Sequence, residues 1–339
     1  MNELLENIHT LAKTIPRNIT LMEVCGGHTN TVMKYGIRDI LPKNVRLISG
    51  PGCPVCVTAQ EDIDAMIALA RSGLPIASYA DMMHVPGTKL SLDKAKEQGA
   101  DVAVIASATE MLKEENKHRI FFAIGFETTT PMTAYLLEHG VTVYSAHKTM
   151  PEPMKAVVQD TKVDAFIGPG HVSCIIGTQA YKELGVPLVV AGFEPEQILH
   201  AVYLLLQMIA QGKKEVINDY DEVVKEEGNL KAQNLIARHL IPCDSLWRGL
   251  GLLPNSGMEV RSDKQNAKIL YKNILEKQEA SKENPICRCA EILKGHCEPQ
   301  DCPLFGKSCT PKTPKGACMV SEAEGACAIA YQYKKQEEN

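Results

Sequence analysis

The stretch Ile19-Thr20-Leu21-Met22-Glu23-Val24, running straight into Cys25-Gly26-Gly27-His28-Thr29, decides the fold class. Its apolar residues follow one another without strict alternation, which predicts a strand covered on both faces, as in a parallel sheet. The same pattern recurs along the chain. Strands are expected at 19–24, 45–49, 75–79, 102–107, 120–124, 141–145, 165–167 and 188–191, with helices at 63–71, 92–98, 131–138, 153–159 and 196–209. Strand–helix alternation of this kind predicts βαβ units and a three-layer α/β architecture.

Glycine-containing loops follow five of these strands. They are Cys25-Gly26-Gly27-His28-Thr29, Gly50-Pro51-Gly52-Cys53-Pro54-Val55-Cys56, Gly125-Phe126-Glu127-Thr128-Thr129, Gly168-Pro169-Gly170-His171-Val172-Ser173 and Gly192-Phe193-Glu194. Open α/β sheets bind ligands outside the carboxyl ends of their strands, where these loops fall. None reads G-x-G-x-x-G or Walker A, so a nucleotide site is not supported. Two echoes, Ile48-Ser49-Gly50-Pro51-Gly52 with 166–170 and 123–127 with 190–194, fit two related halves facing one cleft, although their spacings differ.

The 339 residues suffice for two or three domains, and 45% hydrophobic content supports real cores. A net charge of −5 and 5% aromatics leave neither a basic footprint nor stacking platforms for nucleic acid. The start, Met1-Asn2-Glu3-Leu4-Leu5-Glu6, is polar and acidic, unlike a secretory signal, and the apolar runs fall far short of a membrane span. The expectation is a cytoplasmic protein that binds no membrane.

Twelve cysteines in a reducing compartment point to metal or redox chemistry rather than structural disulfides. Seven, at 287, 289, 297, 302, 309, 318 and 327, fall within 41 residues of a segment, 280–339, that lacks long apolar runs and needs a staple. The irregular spacing lacks the paired knuckles of a Cys₄ zinc site and suits a [4Fe–4S] cluster better, with zinc and plain disulfides as the other readings.

Cys53-Pro54-Val55-Cys56 is a C-x-x-C pair, read as a reversible dithiol or as half of a metal site, though no second C-x-x-C exists. Cys25 reads either as an inert core thiol or as a ligand freed by Gly26-Gly27, with His28 beside it to ligate or deprotonate it. Thiolate with imidazole suits a transition metal such as iron. His171 is a proton donor or a solvated loop residue; Glu127, ahead of Thr128-Thr129-Thr130-Pro131, is a cleft carboxylate or only part of a helix start. Cys174 and Cys243 read as core cysteines.

Taken together, Met22-Glu23-Val24-Cys25-Gly26-Gly27-His28-Thr29, the 50–56 loop, 121–129, 169–173, Trp247-Arg248-Gly249-Leu250, Asp301-Cys302-Pro303-Leu304-Phe305-Gly306, Cys309-Thr310-Pro311 and Gly316-Ala317-Cys318-Met319-Val320-Ser321 resemble the HypD family of hydrogenase maturation factors. The matching pieces span nearly the whole chain in the family's order. The resemblance implies two Rossmann-like α/β domains facing a cleft, placed at 1–120 and 121–240, and a C-terminal iron–sulfur region at 241–339. It implies a scaffold for the Fe(CN)2CO unit of [NiFe] hydrogenase: iron held at Cys25 and shared with a HypC-like chaperone, cyanide delivered by a HypE-like donor, and the product passed on to the hydrogenase large subunit. It makes Cys53 and Cys56 a redox pair and places His28, Glu127 and His171 in the cleft. It makes Cys287, Cys302, Cys309 and Cys327 the [4Fe–4S] ligands and Cys289 and Cys318 the adjacent redox pair, leaving Cys297 spare. The alternative function is an iron–sulfur thiol–disulfide reductase acting on a protein substrate; a third is a binding module built on structural zinc. Three departures mark this chain: His84 where the family usually carries arginine, no proline in 105–109, and a Cys318–Cys327 interval one residue longer.

Overall fold

The computed structural model describes residues 2–337, with side-chain surroundings given through residue 333. Its strands are β1 (Ile19–Glu23), β2 (Val45–Ser49), β3 (Ile76–Tyr79), β4 (Val102–Ile105), β5 (Ile120–Ala123), β6 (Thr142–Ser145), β7 (Ala165–Pro169), β8 (Leu188–Ala191), β9 (Val216–Asn218), β10 (Leu240–Trp247) and β11 (Gly251–Val260). Two parallel sheets result, one of five strands in the order β2-β1-β7-β8-β9 and one of four in the order β4-β3-β5-β6. β10 and β11 pair as an antiparallel hairpin.

Both faces of the five-stranded sheet are apolar because successive side chains point to opposite sides. Ile19 and Leu21 join Ile8 and Ala12 of helix α1 (Asn2–Lys13), while Met22 and Val24 enter the core on the opposite face. Each such fully buried aliphatic side chain contributes about 1.5–3 kcal/mol. Helix α2 (Gly26–Lys34) leaves the end of β1, α3 (Gly170–Ile176) the end of β7, and α4 (Pro195–Ala210) packs with α1 on the outer face.

The sheets do not divide the chain at residues 120 and 240. β1 pairs with β7, Leu21 opposite Ala165, so 19–49 and 165–218 build one sheet, while the other is inserted whole from 76 to 145. A β1–β2 pair alone would leave an apolar strand with an open edge, and β7 closes it. The Gly50 and Gly168 loops consequently follow strands of one sheet, not of two halves. Beyond the hairpin, residues 267–275 form only two single helical turns, Ala267–Leu270 and Lys272–Leu275.

The C-terminal segment borrows its core. Ile292, Leu293, Phe305 and Met319 pack into the cluster that holds Met22 and Ile48. Helix α5 (Ala326–Glu337) lies against α2, and Arg38 pairs with Glu298 at 2.8 Å.

Each sheet reverses its strand order once, between β1 and β7 in the first and between β3 and β5 in the second. Crevices at such switch points are where parallel sheets hold ligands. The first opens between the Cys25 and Gly170-His171 loops, the second between the Asp81 and Glu127 loops.

Candidate thiol cleft and C-terminal thiol cluster

Cys25 caps α2 in extended conformation, and its sulfur faces the backbone amides of Gly27 and His28. Two side-chain bonds from buried Glu23 fix the turn: the Cys25 amide donates to Oε2 at 3.0 Å, and the Thr29 hydroxyl donates to Oε1. The Gly26 amide donates to Gly52 O at 3.2 Å, and any side chain at Gly52 would collide with the Cys25 amide. Gly52 therefore lets the Cys25 and Cys53 loops touch, backbone against backbone. Cys25 is partly exposed, but burial of its sulfur outweighs the amides and pushes the thiol up to about 12.

His28 is fully buried; its Nε2 meets Gly192 O at 2.9 Å, and its Nδ1 has no partner. Burial lowers its pKa to about 4, so the ring is neutral at pH 7. Phe193 lies between His28 and His171, with ring centroids 4.9 and 4.2 Å away. Glu127 is buried, accepts the Met150 amide at 2.8 Å through Oε1, and leaves Oε2 unpartnered. Burial raises its pKa to about 7. Tyr181 is fully buried, accepts a hydrogen bond from Ser173, and lies within electrostatic reach of both Glu127 and Cys25. Glu324 closes the cleft from the C-terminal side: it presses on Gly26 and interacts electrostatically with Cys25 and Asp81.

Cys53 and Cys56 are bonded as a disulfide with Cα atoms 5.2 Å apart, both buried. Pro54 starts a short helical turn, and the Cys56 amide donates to Cys53 Sγ at 3.2 Å. This turn packs against segments 317–319 and 289–293. The two C-x-x-C sulfurs therefore sit between the Cys25 loop and the C-terminal thiols.

In the C-terminal segment the Cys289 and Cys318 sulfurs lie 2.6 Å apart. Cys287, Cys302, Cys309 and Cys327 surround them closely enough to interact electrostatically. Burial, with the neighbouring sulfurs, pushes the Cys287 thiol up to about 12 and raises that of Cys309. Among the described residues no three such side chains form a ready-made metal site. The donor set nonetheless fits a cluster: soft sulfurs converge, the Lys315 amide donates to Cys309 Sγ at 3.3 Å, and a Cβ at Gly316 would lie 2.5 Å from Cys287 Sγ. Cys297 is partly exposed among Asp301, Arg288 and Glu291 and interacts electrostatically with Cys302.

Sequence reading alone did not single out Glu23, Gly52, Tyr181 or Glu324. A carboxylate inside an apolar strand was the signal for Glu23; nothing local distinguishes Tyr181.

By class, this is a paired-sheet α/β protein with a thiol at one switch point, a C-x-x-C disulfide beside it and a gathered set of further thiols. The comparisons narrow this. The HypD model, described as the hydrogenase formation hypA family, matches residues 1–334. The chain is 43% identical to the hydrogenase maturation factor HypD of Azotobacter vinelandii over 345 residues, covering 94% of this chain and 90% of the relative. It is 41% identical to HypD of Rhizobium leguminosarum bv. viciae, covering 96% and 93%, and 41% to that of Escherichia coli strain K12, covering 99% and 95%. The chain belongs to the HypD family of hydrogenase maturation factors and takes part in hydrogenase assembly. No helix among the described residues is long and apolar enough to cross a membrane.

Proposed function

We propose that the chain is the scaffold on which the Fe(CN)2CO unit is built, with Cys25 holding the cargo iron together with a HypC-like chaperone. The observation that carries this is the Cys25 sulfur itself: partly open, aimed at by two helix amides, at the switch point of a parallel sheet. A neutral thiol in so buried a place becomes a thiolate when a cation compensates its charge, and iron is that cation. His28 presents a neutral ring with one unpartnered nitrogen, suited to receive a proton or orient a bound group. Glu127, about half protonated at pH 7, offers an acid in the neighbouring crevice.

Cyanide would come from a HypE-like donor, and the finished unit would go to the hydrogenase large subunit. Cys53 and Cys56 supply or take up electrons as dithiol and disulfide. Cys287, Cys302, Cys309 and Cys327 would hold a [4Fe–4S] cluster, which when bound supplies single electrons. The packing of the 54–57 turn against the Cys289 and Cys318 segments also favours the second reading, a thiol–disulfide reductase, but that reading gives Cys25 and His28 no work.

The test is the infrared spectrum of the chain isolated anaerobically with its chaperone. Cyanide and carbonyl stretches should appear in the wild type and vanish in Cys25→Ala while the complex persists. Bands retained in Cys25→Ala would overturn the assignment.

A further inference from the structure

A polar cavity of about 380 Å³ opens beside the C-terminal thiols, away from the Cys25 cleft. Cys287 and Cys289 form part of its wall, Arg248 and Glu283 another part, and Lys282 and Lys315 stand at exposed positions. Its charged residues are three cations and one carboxylate. That carboxylate, Glu283, is drawn to Arg248 at 3.1 Å, which leaves the two lysines in excess. Arg248 is buried, held to the Gln60 side-chain oxygen by two bonds of 3.2 Å, and its Nε–H has no acceptor. A buried donor left unpaired in the wall of a cationic cavity is a place for an anionic oxygen. The volume falls in the small-ligand range. Cys289 reaches this wall and Cys318 does not, so of the facing sulfurs only one is approached from this side.

We propose that this cavity admits a small anionic thiol, one carrying a carboxylate or sulfonate, which reduces a disulfide between Cys289 and Cys318. This rests on reading Cys289 and Cys318 as a redox pair, as the family resemblance implies, with their sulfurs 2.6 Å apart. The thiolate of the bound molecule attacks Cys289 Sγ, the Cys289–Cys318 bond breaks, and Cys318 leaves as thiolate. A second molecule attacks the mixed disulfide and releases Cys289. The small thiol ends as its own disulfide, two electrons pass to the protein, and the two thiol protons go to Cys289 and Cys318. Lys282 and Lys315 steer the anion in, and Arg248 receives its charged end.

The experiment uses the full chain with its metal content intact, gently oxidised, then treated separately with mercaptoethanesulfonate, mercaptoethanol and cysteamine at equal thiolate concentration. Mass-spectrometric mapping of alkylated cysteines follows Cys289/Cys318 and Cys53/Cys56 in one sample. At low salt the anionic thiol should reduce Cys289–Cys318 about tenfold faster than the cationic one, and about 0.5 M salt should erase the difference. The double variant Lys282→Ala, Lys315→Ala, altered only at exposed positions, should erase it too. Cys53/Cys56 should show no such preference in either protein. Equal rates with all three thiols, or a preference that survives the double variant, overturns the entry site. If Cys289 and Cys318 never oxidise together, the redox role of the pair falls first and the entry site with it.

Discussion

Cys25 and the C-terminal thiols are held in place on opposite structural terms. The position of Cys25 is set by backbone: a strand paired on both edges, a carboxylate in its own strand, and a glycine of the next loop pressed against its amide. The C-terminal sulfurs sit in a segment of short turns, where the thiols and a borrowed patch of core hold the chain in place. Where the backbone over-determines a site, a ligand is separable from the fold. Where ligands replace a core, it is not.

That contrast orders the expected effects. The largest is Cys302→Ala or Cys309→Ala. Both side chains are buried among the other sulfurs, and losing either should bleach the brown colour that a bound cluster would give the anaerobic protein and release 280–337 to proteolysis. Full colour and protease resistance in both variants would break the comparison at its C-terminal end.

Next is Gly52→Ala. The added methyl runs into the backbone of Val24 and Cys25, so the two loops must part, at a cost of about 2–4 kcal/mol in denaturant melts. Cluster absorbance should stay unchanged, because the clash lies in the scaffold. A neutral Gly52→Ala would show that the loop contact does not position Cys25.

A smaller effect is electrostatic. Glu127 in the folded chain keeps its proton up to about pH 7, against an ordinary 4.5. Between those values the folded state binds more protons than the unfolded chain, so stability falls as pH rises through that window. Glu127→Gln should remove up to ~3 kcal/mol of this dependence, read as the difference between melts at pH 5 and pH 8. An unchanged slope would mean that the carboxylate is solvated in the folded protein. The smallest effect is Cys297→Ala, where the partly exposed side chain is given no ligand role: stability should shift by less than about 0.5 kcal/mol, with colour retained.

Eight of the nine parallel strands were legible as apolar runs because two-sided burial writes itself directly into sequence. β9, three partly buried residues at the sheet edge, left no such trace. The β10–β11 hairpin was hidden by Pro242, Pro254 and its exposed residues, and only Trp247 marked it; that ring is buried, stacks on Phe126 at 6.1 Å and donates to Ser256 at 2.8 Å. The insertion of one sheet into the other was illegible, since which strand closes the edge of β1 is settled by tertiary pairing. The loops bearing Cys25, Cys53, Glu127 and His171 were found through their glycines. Of the residues that lock them, Glu23 acts locally and is marked by its charge inside an apolar strand, whereas Gly52 acts through a contact 26 or more residues away and Tyr181 reads as an ordinary core member.

The most direct test of the central claim, that Cys25 is a cargo ligand separable from the fold and from the C-terminal thiols, is the iron count of Cys25→Ala. Protein isolated anaerobically with its chaperone should carry about five irons per chain in the wild type, four of them in the cluster. The variant should keep its colour, its melting behaviour to within about 1 kcal/mol, and about four irons. Five irons in Cys25→Ala, or loss of the cluster along with the fifth, would contradict the account.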